Sequence, residues 1–295
     1  MLIEFKVANF RSIRDEQTLS LVASNYEKGC DECLIAPDLP GLAGVKLLKG
    51  AAIYGANASG KSNILKALQF VTNFVANSLT KLKPGDPTGA QPFKLDRESI
   101  DKPSRFELTF VADDVRYVFA LTVTRQRVVE ERLEAYPKSL RQLWYQRTYD
   151  SKTESYLWAK ASTHFKRDPI LQERTRENAL FLSVGPQFNH PQLTPIFNWL
   201  LGHMVFVNLS LDEGIASGFS TFLLQLPSYR DKVVEFLRKA DLGILDINAT
   251  FEDIEPGWFK DLSESREGKI GDEDSELPTI KRTKLNLLHK GVDDT

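Results

Sequence analysis

Eight consecutive residues constrain this chain more than any other feature: Gly55-Ala56-Asn57-Ala58-Ser59-Gly60-Lys61-Ser62, a GxxxxGK[ST] pattern. The apolar run Ala51-Ala52-Ile53-Tyr54 enters it, and Ile64, Leu68, Val71 and Val75 recur at helical spacing after it. The spacing predicts a strand over 45–54 and a helix from about 60 to 79, ended by Lys83-Pro84-Gly85-Asp86-Pro87. With Gly at about 7% of residues, a chance match in a chain of this size is on the order of one in a hundred. A strand before the pattern and a helix after it make chance a poorer explanation still.

Each residue type in the pattern has a physical reason. Gly55 and Gly60 let the backbone curl so that successive N–H groups converge on one point. A helix starting near Gly60 adds the positive end of its dipole at the same place. A cation and a hydroxyl then follow, which suits a triphosphate with its metal ion. Lys61 is expected to reach the β- and γ-phosphates, and the Ser62 hydroxyl to ligate Mg²⁺. A glycine turn capping an ordinary helix would account for neither Lys61 nor Ser62. ATP and Mg²⁺ are therefore the expected cofactors.

The remainder reads as a mixture of strands and helices. Ile3, Phe5 and Val7 alternate with Glu4 and Lys6, the pattern of a half-buried strand. Asn9-Phe10-Arg11-Ser12 breaks it, and alternation resumes over 18–22. Between 105 and 160 an antiparallel sheet is expected: Phe106, Leu108 and Phe110 alternate, Asp113-Asp114 turns the chain, and Tyr117, Phe119, Leu121 and Val123 alternate back. The apolar run 179–184 reads as a buried strand, 194–204 and 228–240 as helices, 261–276 as an acidic mobile stretch, and 279–288 as a last strand.

Composition sets bounds on what these elements can do. Hydrophobic residues are 42% and charged residues 26%, with a formal net charge of -2, so the chain as a whole is not built to attract polyanions. No apolar run approaches the ~20 residues of a membrane span. Of the two cysteines, Cys30 and Cys33, the CxxC spacing has no second pair and no clustered histidines, and reads as reduced loop thiols of a cytoplasmic protein.

The loop GANASGKSN, with Asn57 third and Asn63 after the serine, resembles that of SMC-like and RecF-like ATPases. The opening Val7-Ala8-Asn9-Phe10-Arg11-Ser12 is similar to their N-terminal strand and NFRS motif. Together with 47–54, 179–183, Gln187-Phe188-Asn189 and 240–244, the chain looks like the front part of a bacterial ABC-type AAA family ATPase of anti-phage and abortive-infection loci. The resemblance implies an α/β P-loop NTPase fold of ABC/SMC type, a mixed sheet core with an antiparallel β-lobe and a helical lobe. It implies divisions at 1–88 for the core, 89–186 for the β-lobe and return strand, 187–250 for the helical lobe, and 251–295 for the acidic loop and final strand. It places Arg11, Ser12 and Asn63 near the nucleotide, and Gln187 where a Q-loop glutamine contacts Mg²⁺ or the attacking water.

Hydrolysis by such ATPases also needs a Walker B strand ending in Asp-Glu and an LSGG-like signature from a second protomer. The run 203–213 ends in Asp212-Glu213, but Asn208 and Ser210 interrupt it and no signature precedes it, so it reads as a loop or helix start. The family pattern continues beyond residue 295, so the fold is expected to be incomplete at its C-terminus, and no catalytic residue is assigned. The partners implied are a second copy through an ATP sandwich and a nuclease or toxin effector. A scaffold that merely holds an effector and a DNA-repair ATPase are the competing readings. The stretch bearing Arg125, Arg127, Arg132, Lys138, Arg141 and Arg147 among Tyr136, Trp144 and Tyr145 suggests a nucleic-acid face. Glu130, Glu131 and Glu134 dilute it, which favours a solvated sheet face.

Overall fold

The computed structural model describes residues 1–24, 31–57, 59–206, 224, 227–240, 244–254 and 280–289. They fall into two compact units, Met1–Val205 and Phe206–Thr295. Ala58, Cys30, Asp212-Glu213 and the acidic stretch 261–276 lie outside the described residues.

The first unit is built on a seven-stranded antiparallel sheet. Its strands are β1 (Leu2–Ala8), β2 (Gln17–Ser20), β5 (Ser104–Ala112), β6 (Val115–Val123), β7 (Val128–Tyr136), β8 (Gln142–Asp150) and β9 (Ser155–Trp158), in the order β2-β1-β5-β6-β7-β8-β9. The period-two pattern of the sequence is the burial pattern of the sheet. Ile3, Phe5 and Val7 face inward from β1, and Phe106, Leu108 and Phe110 do so from β5. Ala112 pairs with Val115, leaving Asp113 and Asp114 as a two-residue turn with φ of 46° and 57°. Both signs suit the primed turns that match strand twist, and Asp tolerates them.

Helix α1 (Lys61–Asn77) lies against this sheet through Ala67, Leu68, Val71, Phe74 and Val75. Phe70 joins a cluster with Phe10 and Phe106, with ring centroids 5.4 and 5.2 Å away. The smaller helices are α2 (Arg97–Ile100), α3 (Pro169–Glu173), α4 (Phe181–Gln187) and α5 (Leu193–His203).

Two expected strands are absent. Residues 179–184 form no strand: Leu180 precedes α4, whose residues from Phe181 to Gly185 are all buried. A continuous apolar run is compatible with either state, and tertiary contacts decide it. Here Glu131, on the inner face of β7, accepts the amide N–H of Phe181 at 2.8 Å and of Leu182 at 3.0 Å, so a carboxylate from the sheet satisfies the first turn of the helix. The second absence is the run 45–54. Only β4 (Leu47–Leu48) pairs, with β3 (Leu34–Ile35), and 51–54 is irregular, with Tyr54 89% exposed. Pairing runs out because Lys46 and Leu48 engage Ala23 and Leu21, Lys49 engages Cys33, and no strand edge among the described residues continues past them. Cys33 itself is disulfide-bonded, in place of the reduced thiol that composition suggests.

A buried ion pair joins sheet to helix. Arg147 of β8 and Glu131 of β7 are each fully buried and meet at 2.9 Å. Tyr145 donates its hydroxyl to Glu131 at 2.9 Å, and burial, followed by the Glu131 charge, pushes its phenol pKa well above the ordinary value, so it remains a donor. Arg147 also donates to the carbonyls of Arg176 and Ala179, and its guanidinium lies 4.9 Å from the Tyr156 ring centroid. The next residues reach α1: Arg176 donates to the carbonyls of Ser78 and Leu79 just past the helix, and the Ser183 hydroxyl donates to Val75.

In the second unit, α6 (Pro227–Lys239) accompanies a two-stranded antiparallel ribbon of β10 (Ile244–Ile254) and β11 (Ile280–His289). Arg230 holds Asp246 at 2.7 Å, and Leu224, Val234 and Ile247 form its small core. The region expected as one helical lobe thus contributes α5 to the first unit and α6 to the second.

Removing one member of a buried pair strands the other charge. Arg147→Met is expected to lower the stability of the first unit by ~3–5 kcal/mol, read as a shift in the urea midpoint at unchanged slope.

Candidate nucleotide site

The glycine loop sits where α1 begins. Gly60 is the N-cap residue, with φ of 94°, a left-handed conformation that costs a side chain but not glycine, and no side chain caps the helix. A Cβ on Gly55 would lie 2.9 Å from the Ser59 hydroxyl, so that side chain would have to turn away. Ser59 N–H donates to the Ala56 carbonyl at 3.2 Å, and Asn63 N–H to the Gly60 carbonyl at 2.8 Å. Lys61 bends back over the loop and donates to the carbonyls of Gly55 at 2.8 Å and Ala56 at 2.6 Å. These carbonyls hold the ammonium beside the loop, within reach of an anion that settles there. Ser62 is exposed in the first helical turn, where its hydroxyl meets solvent.

A cleft of about 440 Å³ opens beside the loop. Ser59, Gly60, Lys61 and Ile64 line it from the loop and α1, together with Ser12 through Asp15, Gln17, Ile53, Tyr54 and Phe93. Asn63 ties the two walls: its Nδ2 donates to the Ser12 hydroxyl at 2.6 Å. A Cβ on Gly60 would lie 3.0 Å from the same hydroxyl, so the Ser12 turn rests against the loop. Of the residues the resemblance placed near a nucleotide, Ser12 and Asn63 therefore meet at the loop. Arg11 does not line the cleft; it is exposed, with φ of 52°, and its guanidinium stands 5.6 Å from the Phe10 ring. Arg14 lines the cleft, held by Asp15 at 3.0 Å.

Gln187 is exposed at the C-terminal end of α4. The polar anchors of α4 on α1 are Val75 and Ser78. Val75 is thirteen residues beyond Ser62, roughly 20 Å of helix. No hydrogen bond or ion pair among the described residues links Gln187 to the loop.

Asn9 carries a role that sequence reading missed. It is buried, with φ of 52°, and its side chain donates to the carbonyls of Ser99 and Lys102 at 2.9 and 2.8 Å while accepting from Phe93 N–H at 3.0 Å. Its own N–H donates to the Arg14 carbonyl at 3.0 Å, which closes the turn that presents Ser12. The signal available was an Asn at a strand break, the residue type that best tolerates a left-handed backbone and bonds locally.

Four of the six cations of the basic stretch are paired with carboxylates. Arg132 meets Glu107 and Glu134, Arg141 meets Glu134, Arg127 meets Glu177, and Arg147 is buried with Glu131. Trp144 and Tyr145 are buried as well and offer no stacking platform. Among the described residues no group of three or more His, Cys, Asp or Glu could hold a metal ion, and no helix is long and apolar enough to cross a membrane.

The GxxxxGK[ST] loop, its lysine and the cleft beside it thus form one surface at the start of α1. Residues 51–179 match the family model described as "AAA domain, putative AbiEii toxin, Type IV TA system", a match that spans less than half of the chain. It supports an AAA/P-loop ATPase family, and such a domain implies nucleotide binding. No curated protein matches the chain. The residues present fit that ligand: a lysine poised over the loop, a serine hydroxyl free in the first turn, and a cleft of suitable size for a nucleotide.

Asn9→Ala leaves a buried amide and several carbonyls without partners. It is expected to cost about 2 kcal/mol or more, measured by thermal unfolding against the wild type.

Proposed function

We propose that this chain is the ATP·Mg²⁺-binding part of an ABC/SMC-like ATPase, which couples nucleotide binding and hydrolysis to control of a nuclease or toxin effector in phage defence. The observation that carries the nucleotide reading is the Lys61 ammonium lodged on the Gly55 and Ala56 carbonyls at the edge of an open cleft. An arriving triphosphate offers that ammonium a full negative charge in place of two carbonyl dipoles, so the exchange favours the ligand. The loop amides and the start of α1 would cradle the phosphates, and Ser62 would hold Mg²⁺, which screens the phosphate charge. Ser12 and Asn63 would position the nucleotide from the opposite wall.

The effector and defence roles rest on resemblance and on the description of the matching family, which names a toxin system. In this reading two copies close on ATP as a sandwich, because one loop supplies only part of the charge that γ-phosphate transfer develops. Asp-Glu and signature groups would complete the site, and Gln187 would reach Mg²⁺ only if α4 moved relative to the loop.

Titration of a fluorescent ATP analogue with Mg²⁺ tests the nucleotide reading. Lys61→Ala is expected to weaken binding by about tenfold or more, and Ser62→Ala to reduce the dependence on Mg²⁺. Equal affinity in wild type and Lys61→Ala would remove the proposal.

A further inference from the structure

The cleft continues from the phosphate loop over surfaces that phosphates do not need. Ile13, Ile64 and Phe93 give it apolar walls, and Ile13 is only 6% exposed, so that part is fixed. Beyond Lys61 and Ser59 of the loop, the polar side chains of the lining are Ser12, Arg14, Asp15, Gln17 and Tyr54. Apolar walls with a few polar groups are what a planar heterocycle requires. A nucleotide anchored by its phosphates at Lys61 must place its ring system nearby, and the Asn63–Ser12 bond keeps the 12–17 wall beside the first turn of α1.

Two of the polar groups differ in what they have left to offer. Asp15 has both carboxylate oxygens engaged by the Arg14 guanidinium, at distances of 3.0 to 3.3 Å. A guanine seeking that carboxylate for its N1–H and N2 amine would compete with Arg14 for it. Gln17 opens β2, with its backbone paired to Val7 and its side chain exposed. A carboxamide presents one donor face and one acceptor face. That combination matches the N7 and N6 amine of adenine, whereas guanine shows two acceptors along the same edge.

We infer that Gln17 is a specificity-determining residue of this cleft, reading the adenine edge of the bound nucleotide, and that the site prefers ATP to GTP. The inference rests on the nucleotide reading proposed above and goes beyond it by naming the residue that selects the base. Arg14 competes with guanine for Asp15, the carboxylate of the lining.

Competition of unlabelled ATP and GTP against a fluorescent ATP analogue, with Mg²⁺, tests it on the full chain. The wild type is expected to favour ATP by about tenfold or more, the discrimination of one bidentate contact. Gln17→Ala, at an exposed position, should keep the wild-type melting temperature and bring the two competitors to within about threefold. Gln17→Glu, which has lost the donor, should likewise lose the preference for ATP. A wild type that binds both nucleotides equally, or a Gln17→Ala protein that keeps the wild-type ratio, overturns the inference while leaving nucleotide binding intact. Absence of binding by either nucleotide, with Lys61→Ala indistinguishable from wild type, overturns the underlying reading and this inference together.

Discussion

The Glu131–Arg147 pair holds the first unit's architecture in place. Two charges with no exposed surface would be a liability if either lacked a partner, and here every neighbour completes the set: Tyr145 on one carboxylate oxygen, the first amides of α4 on both, and two backbone carbonyls on the guanidinium. The pair therefore does more than join β7 to β8. It fixes where the chain leaves the sheet at 176–182, and that segment ends α1 through Arg176 and supports it through Ser183.

From there the logic runs along α1 to the loop. The C-terminal half of the helix is buried against β1 and the aromatic cluster, while in its first turn Ser62 is exposed and Lys61, Asn63 and Ile64 are half-buried. A helix clamped at one end presents its other end as a rigid platform, so the dipole and Lys61 arrive together at the cleft. Asn9 performs the matching task on the opposite wall. By taking a left-handed backbone and bonding three segments, it turns the strand back and sets Ser12 against Asn63.

The helix after the loop and the antiparallel strands from 104 to 158 were legible because each buries one face, which leaves a clean period in the sequence. The run 179–184 was not, because it is buried all round and its state depends on a carboxylate fifty residues earlier. The strand leading into the loop was over-read for the opposite reason: apolar residues suit a strand only when an edge is there to pair with. Glu131 and Arg147 were grouped with surface charges, although each shares strand parity with inward residues, Leu133 and Tyr145 respectively. Parity would have exposed them. The loop itself was plain in the sequence, whereas the closeness of Ser12 to Asn63 depends on a turn that no local pattern encodes.

Lys61 rests on the Gly55 and Ala56 carbonyls, and in the proposed complex it would leave them for phosphate. Amide hydrogen exchange of the peptide spanning Gly55 to Asn63, followed with and without ATP and Mg²⁺, measures that event directly. The account predicts slower exchange across the loop and the first turn of α1 in the presence of nucleotide. Exchange there that is identical in both conditions would contradict it.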